Sequence, residues 1–456
     1  MSVDYTLPEY NRAVKKWELV RSIIDNDAGH LIPDVDVNDI DRSIKYRNNA
    51  ILTNFTGLTK NGLQGLVFLK EPDINLPSQL EYMREDATGS GLSMTQLAQQ
   101  VCGEVLETGR HGLLVDFPRN ENTLTISDLE TGNYVARILP YTAEAIINWR
   151  TERVNGKVQL VQVVLKECKE TVLEDGFAVE KLDQYRVLKL VNGQYYQELY
   201  DEEQDLVDIV QPLKVDGTPL TYIPFVFVGA ENNDPIIDPA PLYDLAVLNL
   251  GHYKNSADFE ESVFICGQPT VVVCVGDIPA DQWVELNGGK FRYGARSGHV
   301  VGLGGNASLL QANPNQLAGQ AMKDKLDQAV GVGARVIAAA GAGRETAEGA
   351  RIRYSSQNSA LYVLTKNMNR AFIEVIRMAC DFTKDADKSE VDFELNDQFY
   401  EDGADPQLIA QAIMMLDRQA LTVQELRNYV SSTGEGLITD PELQVEIDAV
   451  QNDPTE

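Results

Sequence analysis

Basic residues, histidine, cysteine and long apolar runs are all scarce in this sequence, and each shortage removes a class of function. Only 39 Lys and Arg stand against 69 Asp and Glu, a formal net charge of −30. The average surface therefore repels phosphate, and general counterion-release binding to nucleic acid is excluded. Four histidines (His30, His111, His252, His299) form no H-x-x-x-H or Cys/His ligand spacing, which argues against a zinc site. Five cysteines (Cys102, Cys168, Cys266, Cys274, Cys380) are widely spaced without a C-x-x-C pair. They predict buried free thiols in a reducing compartment rather than a disulfide framework. No window approaches the roughly 18 apolar residues of a membrane span. The opening MSVDYTLPEYNRAVKKWELV lacks an apolar signal core, which sets the expectation of a chain neither exported by a signal peptide nor integral to a membrane. Between Pro314 and Pro406 there is no proline, so that interval is open to long helices.

What is present is an ordinary globular balance, 43% hydrophobic and 24% charged over 456 residues. That is enough for roughly two to four domains, or for one long-limbed subunit whose surfaces close against neighbours. Tyr10, Val14, Trp17, Val20 and Ile24 recur at helical spacing, and Ile44, Ala50, Phe55 and Leu63 continue a sparser stripe. Residues 92–109 carry Leu92, Leu97, Val101, Val105 and Leu106 with Ser93 as N-cap and Gly109 as stop. HGLLVDFP (111–118) reads as a buried strand, and YVARILPYTAEAIINWR as a strand entering a helix that Gly156 ends. From 157 to 228 the pattern predicts antiparallel strands, with Asn192-Gly193 as a hairpin turn. The first half is therefore α+β.

Residues 242–265 predict a rod, 267–313 a proline- and glycine-rich β excursion, and NQLAGQAMKDKLDQAV a second rod. The stretch AAAGAGRETAEGAR then breaks the helical pattern without proline. Leu361, Leu364, Met368, Phe372, Val375 and Ala379 run on at intervals of three and four, predicting a very long helix from about Arg344. The tail from 383 is acidic, with DPQLIAQAIMMLDRQAL and TVQELRNYV as short helices.

Motifs for chemistry fail on context. Gly302, Gly304 and Ala307 fit G-x-G-x-x-A, but Pro314 delays the helix that a dinucleotide site needs, so a turn is expected. Gly57 and Gly62 have Walker A spacing, yet Leu63 and Gln64 follow where Lys and Ser/Thr must hold phosphate and metal. Asp201, Glu202, Glu203 and Asp205 form the densest carboxylate cluster, read as a solvated loop. No Ser/His/Asp order and no G-x-S-x-G element stand out. The expectation is a non-enzyme without cofactor or metal.

Four stretches in order, over roughly residues 45–435, resemble the portal proteins of tailed bacteriophages. They are GRHGLLVDFP, YTAEAIINWR, LYDLAVLNLGHYKNSADFEESVFICGQPTVV and, above all, AGRETAEGARIRYSSQNSALYVLTKNMNRAFIEVIRMA. The resemblance implies a ring of usually twelve subunits at one capsid vertex. Through it the terminase motor drives double-stranded DNA in, without sequence-specific binding, and through it the DNA leaves. It implies an α+β subunit with the wing at 1–235, stem helices at 236–266 and 314–336, and a β-rich clip at 267–313. A tunnel loop follows at 337–344, a long wing helix at 345–382, and a helical crown and tail at 383–456. Ala340, Gly341, Ala342, Gly343, Arg344 and Glu345 would line the DNA channel, and Trp283, Phe291, Arg292 and Tyr293 would dock the large terminase subunit and the head–tail adaptor. Major capsid and scaffolding proteins are the other implied partners, with assembly in the host bacterial cytoplasm and no membrane. Residues 335–380 hold seven basic side chains against three acidic ones. This makes Arg344 a candidate phosphate contact, with Glu345 or Glu348 of a neighbouring copy as the alternative partner. Another head–tail connector or a minor capsid protein is the rival reading.

Overall fold

Ser93 and Gln96 exchange the two hydrogen bonds of a capping box at 3.1 and 3.0 Å, starting a helix that Gly109 ends in the left-handed region at φ 74°. Both ends fall where the sequence places them. The computed structural model describes residues 2–36, 38–117, 135–154, 156–173, 176–267, 270–274, 276, 279–286, 304–310, 316–332, 347–397, 399 and 414. The elements below all belong to the first of two compact units, Met1–Leu395 and Asn396–Glu456.

In chain order they are α1 (Pro8–Ile24), α2 (Ile40–Asn49), α3 (Phe55–Val67), β1 (Asp73–Asn75), α4 (Met94–Thr108), β2 (Arg110–Asp116), β3 (Arg137–Thr142) and β4 (Ile146–Val154). Next come β5 (Lys157–Val172), β6 (Val179–Val191), β7 (Gln194–Tyr200), β8 (Leu206–Val210) and β9 (Phe225–Gly229). The remainder are α5 (Tyr243–Gly267), β10 (Thr270–Cys274), α6 (Ala280–Leu286), β11 (Asn306–Leu310), α7 (Leu317–Val332), α8 (Ala347–Ala379) and β12 (Asp392–Glu394). The architecture is mixed α+β. Strands pair antiparallel in a three-stranded sheet, β3-β2-β9, and a five-stranded meander, β4-β5-β6-β7-β8. The small pair β1-β12 ties an early segment to the end of the unit, where Phe393 stacks on Phe372 of α8 at 4.6 Å.

One expected helix is a strand. The segment that Gly156 was expected to end as a helix is β4, and Gly156, at φ 81°, turns a hairpin into β5. Ile146, Ile147, Trp149, Thr151 and Val154 are β-branched or aromatic, and pairing along a 16-residue neighbour outweighs a short helical spacing. The cysteines also depart from expectation in part. All are free, but only Cys102 and Cys380 are buried, while Cys168 and Cys274 are exposed. Burial pushes the Cys102 thiol up to about 12 and that of Cys380 to about 11, so neither is a nucleophile near neutral pH.

A shared ion cluster joins the helices to the first sheet. Arg21 of α1 reaches Glu104 and Glu107 of α4 and Glu144 after β3, each at 2.6 Å, and Lys60 of α3 closes on the second oxygen of Glu107. Burial opposes the Arg21 charge, yet the bonds from Glu144 and Glu104 more than offset it and raise its proton affinity. Trp17, buried beside this cluster on α1, donates to the Thr108 carbonyl at 2.7 Å. Beneath it His111 is fully buried, and both ring nitrogens lack partners among the described residues. Burial, then Arg21, pulls its pKa down to about 3, against Glu144.

Arg21→Ala leaves Glu104 and Glu144 without their cation and Glu107 with Lys60 alone, and should cost about 2 kcal/mol, between the exposed and the fully buried case for an ion group that is part-buried. Arg21→Lys should recover only part, because an ammonium cannot fork to three acceptors. Unchanged thermal midpoints in both variants would contradict the cluster's role. The His111 sign follows from its depressed folded pKa. Between an unfolded value near ~6.5 and about 3, only the unfolded chain takes the proton, so stability falls as pH drops through that window. The slope should approach about 1.4 kcal/mol per pH unit. His111→Leu should flatten it, and equal pH dependence of the two proteins would contradict this.

Candidate assembly stalk

The stalk begins at a root where four parts of the chain converge. Gly109 lies so close to the connecting segment that a Cβ there would sit 2.6 Å from the Pro239 carbonyl oxygen. Asp238, buried, accepts from the Glu231 and Asn232 amides at 2.7 and 3.1 Å. Asn367 of α8 donates to the Gly229 carbonyl at 3.1 Å, and its own carbonyl accepts from Asn233 at 2.8 Å. Arg110, only 2% exposed, holds its guanidinium 3.9 Å from the Trp149 ring and 4.2 Å from that of Phe227, and donates to the Pro235 carbonyl at 3.1 Å. Burial lowers its pKa to about 9, against the pull of Asp238. A cation this deep is kept by aromatic faces and nearby carboxylates rather than by water.

From that root α5 runs for 25 residues, about 37 Å at helical rise. Its return partner is α7. Gly251 faces the Lys325 side chain and Gly319 faces the Phe259 ring, so going outward on one helix is going inward on the other. The two are antiparallel, and glycine at both contacts lets them approach closely. Beyond α5 the strands β10 and β11 pair over five residues in an antiparallel ladder, as a β excursion between rods requires. Gly304, whose motif suggested a cofactor loop, precedes β11 at φ 78° and opens no helix, which is the expected turn. Gly57 and Gly62 lie inside α3, so they form no phosphate loop.

The N-terminal helices and the chain between them grip α5 from Asn249 out to Glu261. Arg42 pairs with Glu261 at 2.8 Å and the Tyr46 hydroxyl donates to Asp258 at 2.6 Å. The Ile51 amide donates to the Ser256 hydroxyl at 2.9 Å, and Thr56 donates to buried Asn249 at 3.0 Å. His252, buried between the Phe55 ring and Lys325, has its pKa lowered by burial and then by that lysine. These contacts were not visible in the sequence, because each joins groups about 200 positions apart. The only local hint was the sparse polar spacing of α2.

Farther out the protection ends. Val263 and Phe264 on α5 are 50% and 60% exposed, and Leu286 and Leu317 are 72% and 76% exposed. Of the residues the sequence nominated for docking, Trp283 lies on α6 with its side chain buried, while Val284 and Leu286 on the same short helix stand out. Phe291, Arg292, Tyr293 and the channel candidates Ala340, Gly341, Ala342, Gly343, Arg344 and Glu345 lie outside the described residues. Asp201, Glu202, Glu203 and Asp205 occupy the turn between β7 and β8. Among the described residues no group of three His, Cys, Asp or Glu could hold a metal ion, and no helix is long and apolar enough to cross a membrane.

A family described as a domain of unknown function (DUF4055) matches residues 241–383, less than half of the chain. Its limits enclose both stalk helices, the β module between them and α8. No curated protein matches. Similar solved structures include the virion of a native gene transfer agent particle, at 12% identity and TM-score 0.42, covering 85% of this chain and 92% of that one. Two others are the neck of the native particle computed with C12 symmetry (TM-score 0.41) and that of the empty particle computed with C6 symmetry (0.42), each at 12% identity. They cover 85% of this chain and 92% and 93% of theirs. A fit that loose transfers neither function nor residue roles.

Val263, Phe264, Leu286 and Leu317 leave apolar area in water, which a second surface would remove. Val263→Ser combined with Phe264→Ser should leave the thermal midpoint within the small range of ordinary surface changes, about ±0.5 kcal/mol. Self-association in sedimentation velocity should weaken. Association equal to that of the parent would contradict the assignment.

Proposed function

We propose that this chain is the portal subunit of a tailed phage or phage-like particle, a non-enzymatic ring at one capsid vertex through which DNA is packaged and ejected. The observation that carries the reading is the antiparallel stalk of α5 and α7. It ends on a small β module, is fixed at its root, and bears apolar side chains that a lone copy leaves in water. The order of portal-like stretches along the sequence supports the same reading. In it, residues 236–266 and 314–336 are the stem, 267–313 the clip that meets terminase and adaptor, and 337–344 the tunnel loop. Capsid and scaffolding proteins meet the outer parts of the ring.

The charge fits a conduit. DNA moving through a pore is slowed by every phosphate contact, and a chain of net charge −30 offers few. Function then resides in ring geometry, and neither cofactor nor metal enters it. Sequence-independent passage also explains why no base-reading element is needed.

Deleting Ala340–Gly343 should leave oligomers intact while reducing the amount of DNA packaged or retained by particles built with the variant. Packaging equal to that of the parent would remove the tunnel-loop assignment. A protein that stays strictly monomeric at high concentration would remove the portal reading altogether.

A further inference from the structure

Two arginines on α8 are unpaired among the described residues. Arg370 and Arg377 lie two turns apart on its exposed face, about 10.5 Å by helical rise, and neither forms a hydrogen bond or ion pair with any described residue. They line a groove of about 820 Å³ whose apolar wall includes Val158 and Leu160 at the start of β5 and Phe225 at the start of β9. The carboxylates already there do not satisfy them. Asp381 is taken by Lys388 at 2.8 Å, by Lys214 at 3.9 Å and by the Tyr222 hydroxyl. Glu374 shares the groove without reaching either arginine within ion-pair distance, and burial disfavours its charge against the attraction of Arg370.

A complementary group sits elsewhere on the same molecule. The β7–β8 turn carries Asp201, Glu202, Glu203 and Asp205, and none of the four has an ion pair among the described residues. The Asp201 carboxylate accepts from the Asp205 amide at 2.8 Å and holds the turn in shape. Strand register keeps this turn and the groove apart on one sheet. Tyr200 pairs with Tyr185 and Tyr185 with Lys166, six residues along β5 from Leu160 and so about 20 Å away. One chain therefore cannot close the turn onto its own groove through this sheet, but successive copies related by rotation can. Two different patches on one protomer define a head-to-tail contact, and such a contact closes into a ring when the rotation between successive copies closes. Copies with a net charge of −30 repel one another, so close approach requires local pairs of opposite sign.

We propose that the Arg370/Arg377 groove is a socket for a second copy of this chain, and that it takes the Asp201–Asp205 turn of that copy. The inference rests on the ring reading above and adds to it the polar lock between subunits. Arg370→Glu with Arg377→Glu should weaken self-association by about tenfold or more at low salt, with the difference shrinking as salt rises. Asp201→Lys with Glu203→Lys should do the same, and combining the two reversals should restore assembly.

The measurements are mass photometry over a salt series and thermal melting of each variant. Should either reversal fail to fold, Arg370→Gln with Arg377→Gln and a cysteine pair, Arg377→Cys with Glu203→Cys, provide the readout. The expected result for the pair is an oxidised, copy-to-copy cross-link. Rings that form equally well in both reversed variants, with no cross-link, would overturn the socket while leaving the ring reading standing. Disassembly by the groove reversal without rescue by the turn reversal would overturn the pairing. A parent protein that never oligomerises would overturn the ring reading and the socket together.

Discussion

Everything outward of the body depends on the root of the stalk. A helix of about 37 Å takes its direction from the residues that hold its first turn, and contacts from the N-terminal helices then keep it there out to Glu261. The holds on the first turn are the close backbone approach at Gly109, the buried Asp238 carboxylate, and the side-chain amides of Asn233 and Asn367, which donate to the Asn367 and Gly229 carbonyls. Polar bonds in a dry setting are strong and directional, and costly to leave unmade. They define one angle where apolar packing alone would tolerate several. Asn367 belongs to α8, so the long helix and the stalk share an anchor.

The same economy of polar contacts governs the body. Arg21 gathers carboxylates from α4 and from the turn after β3, while Lys60 brings in α3. In a chain so rich in acid, a half-buried cation serves as a meeting point for elements distant in sequence. Arg110 does this with aromatic rings instead of carboxylates in direct contact. On the surface the excess acid has no such partners and repels both phosphate and neighbouring copies. Contact between copies then requires either apolar surface, as on the outer stalk, or a rare cationic groove.

Much of the fold was legible where local rules decide. The capping box at Ser93, the Gly109 stop, the Asn192-Gly193 hairpin and the rods either side of the β module follow from spacing and caps. Ile146–Val154 was not legible, because its strand state depends on a neighbour supplied by β5. The site was legible only in outline. Periodicity marks α5 and α7 as helices but says nothing of their mutual direction, which rests on Gly251 and Gly319 meeting Lys325 and Phe259. Trp283 shows the limit of composition, since an aromatic in a tip segment can be covered as readily as displayed. Arg42, Tyr46 and Asn249 carry no local signal, and their roles come from contacts across the chain.

On the proposed reading this chain works as a closed ring, with the stalks side by side and a channel along the axis. Class-averaged electron images of the purified full-length protein viewed end-on test it most directly. The account predicts discrete rotational symmetry about a central hole wide enough for duplex DNA, in particles whose side view shows a narrow stem. Monomers, open filaments, or compact particles without an axial hole would contradict it.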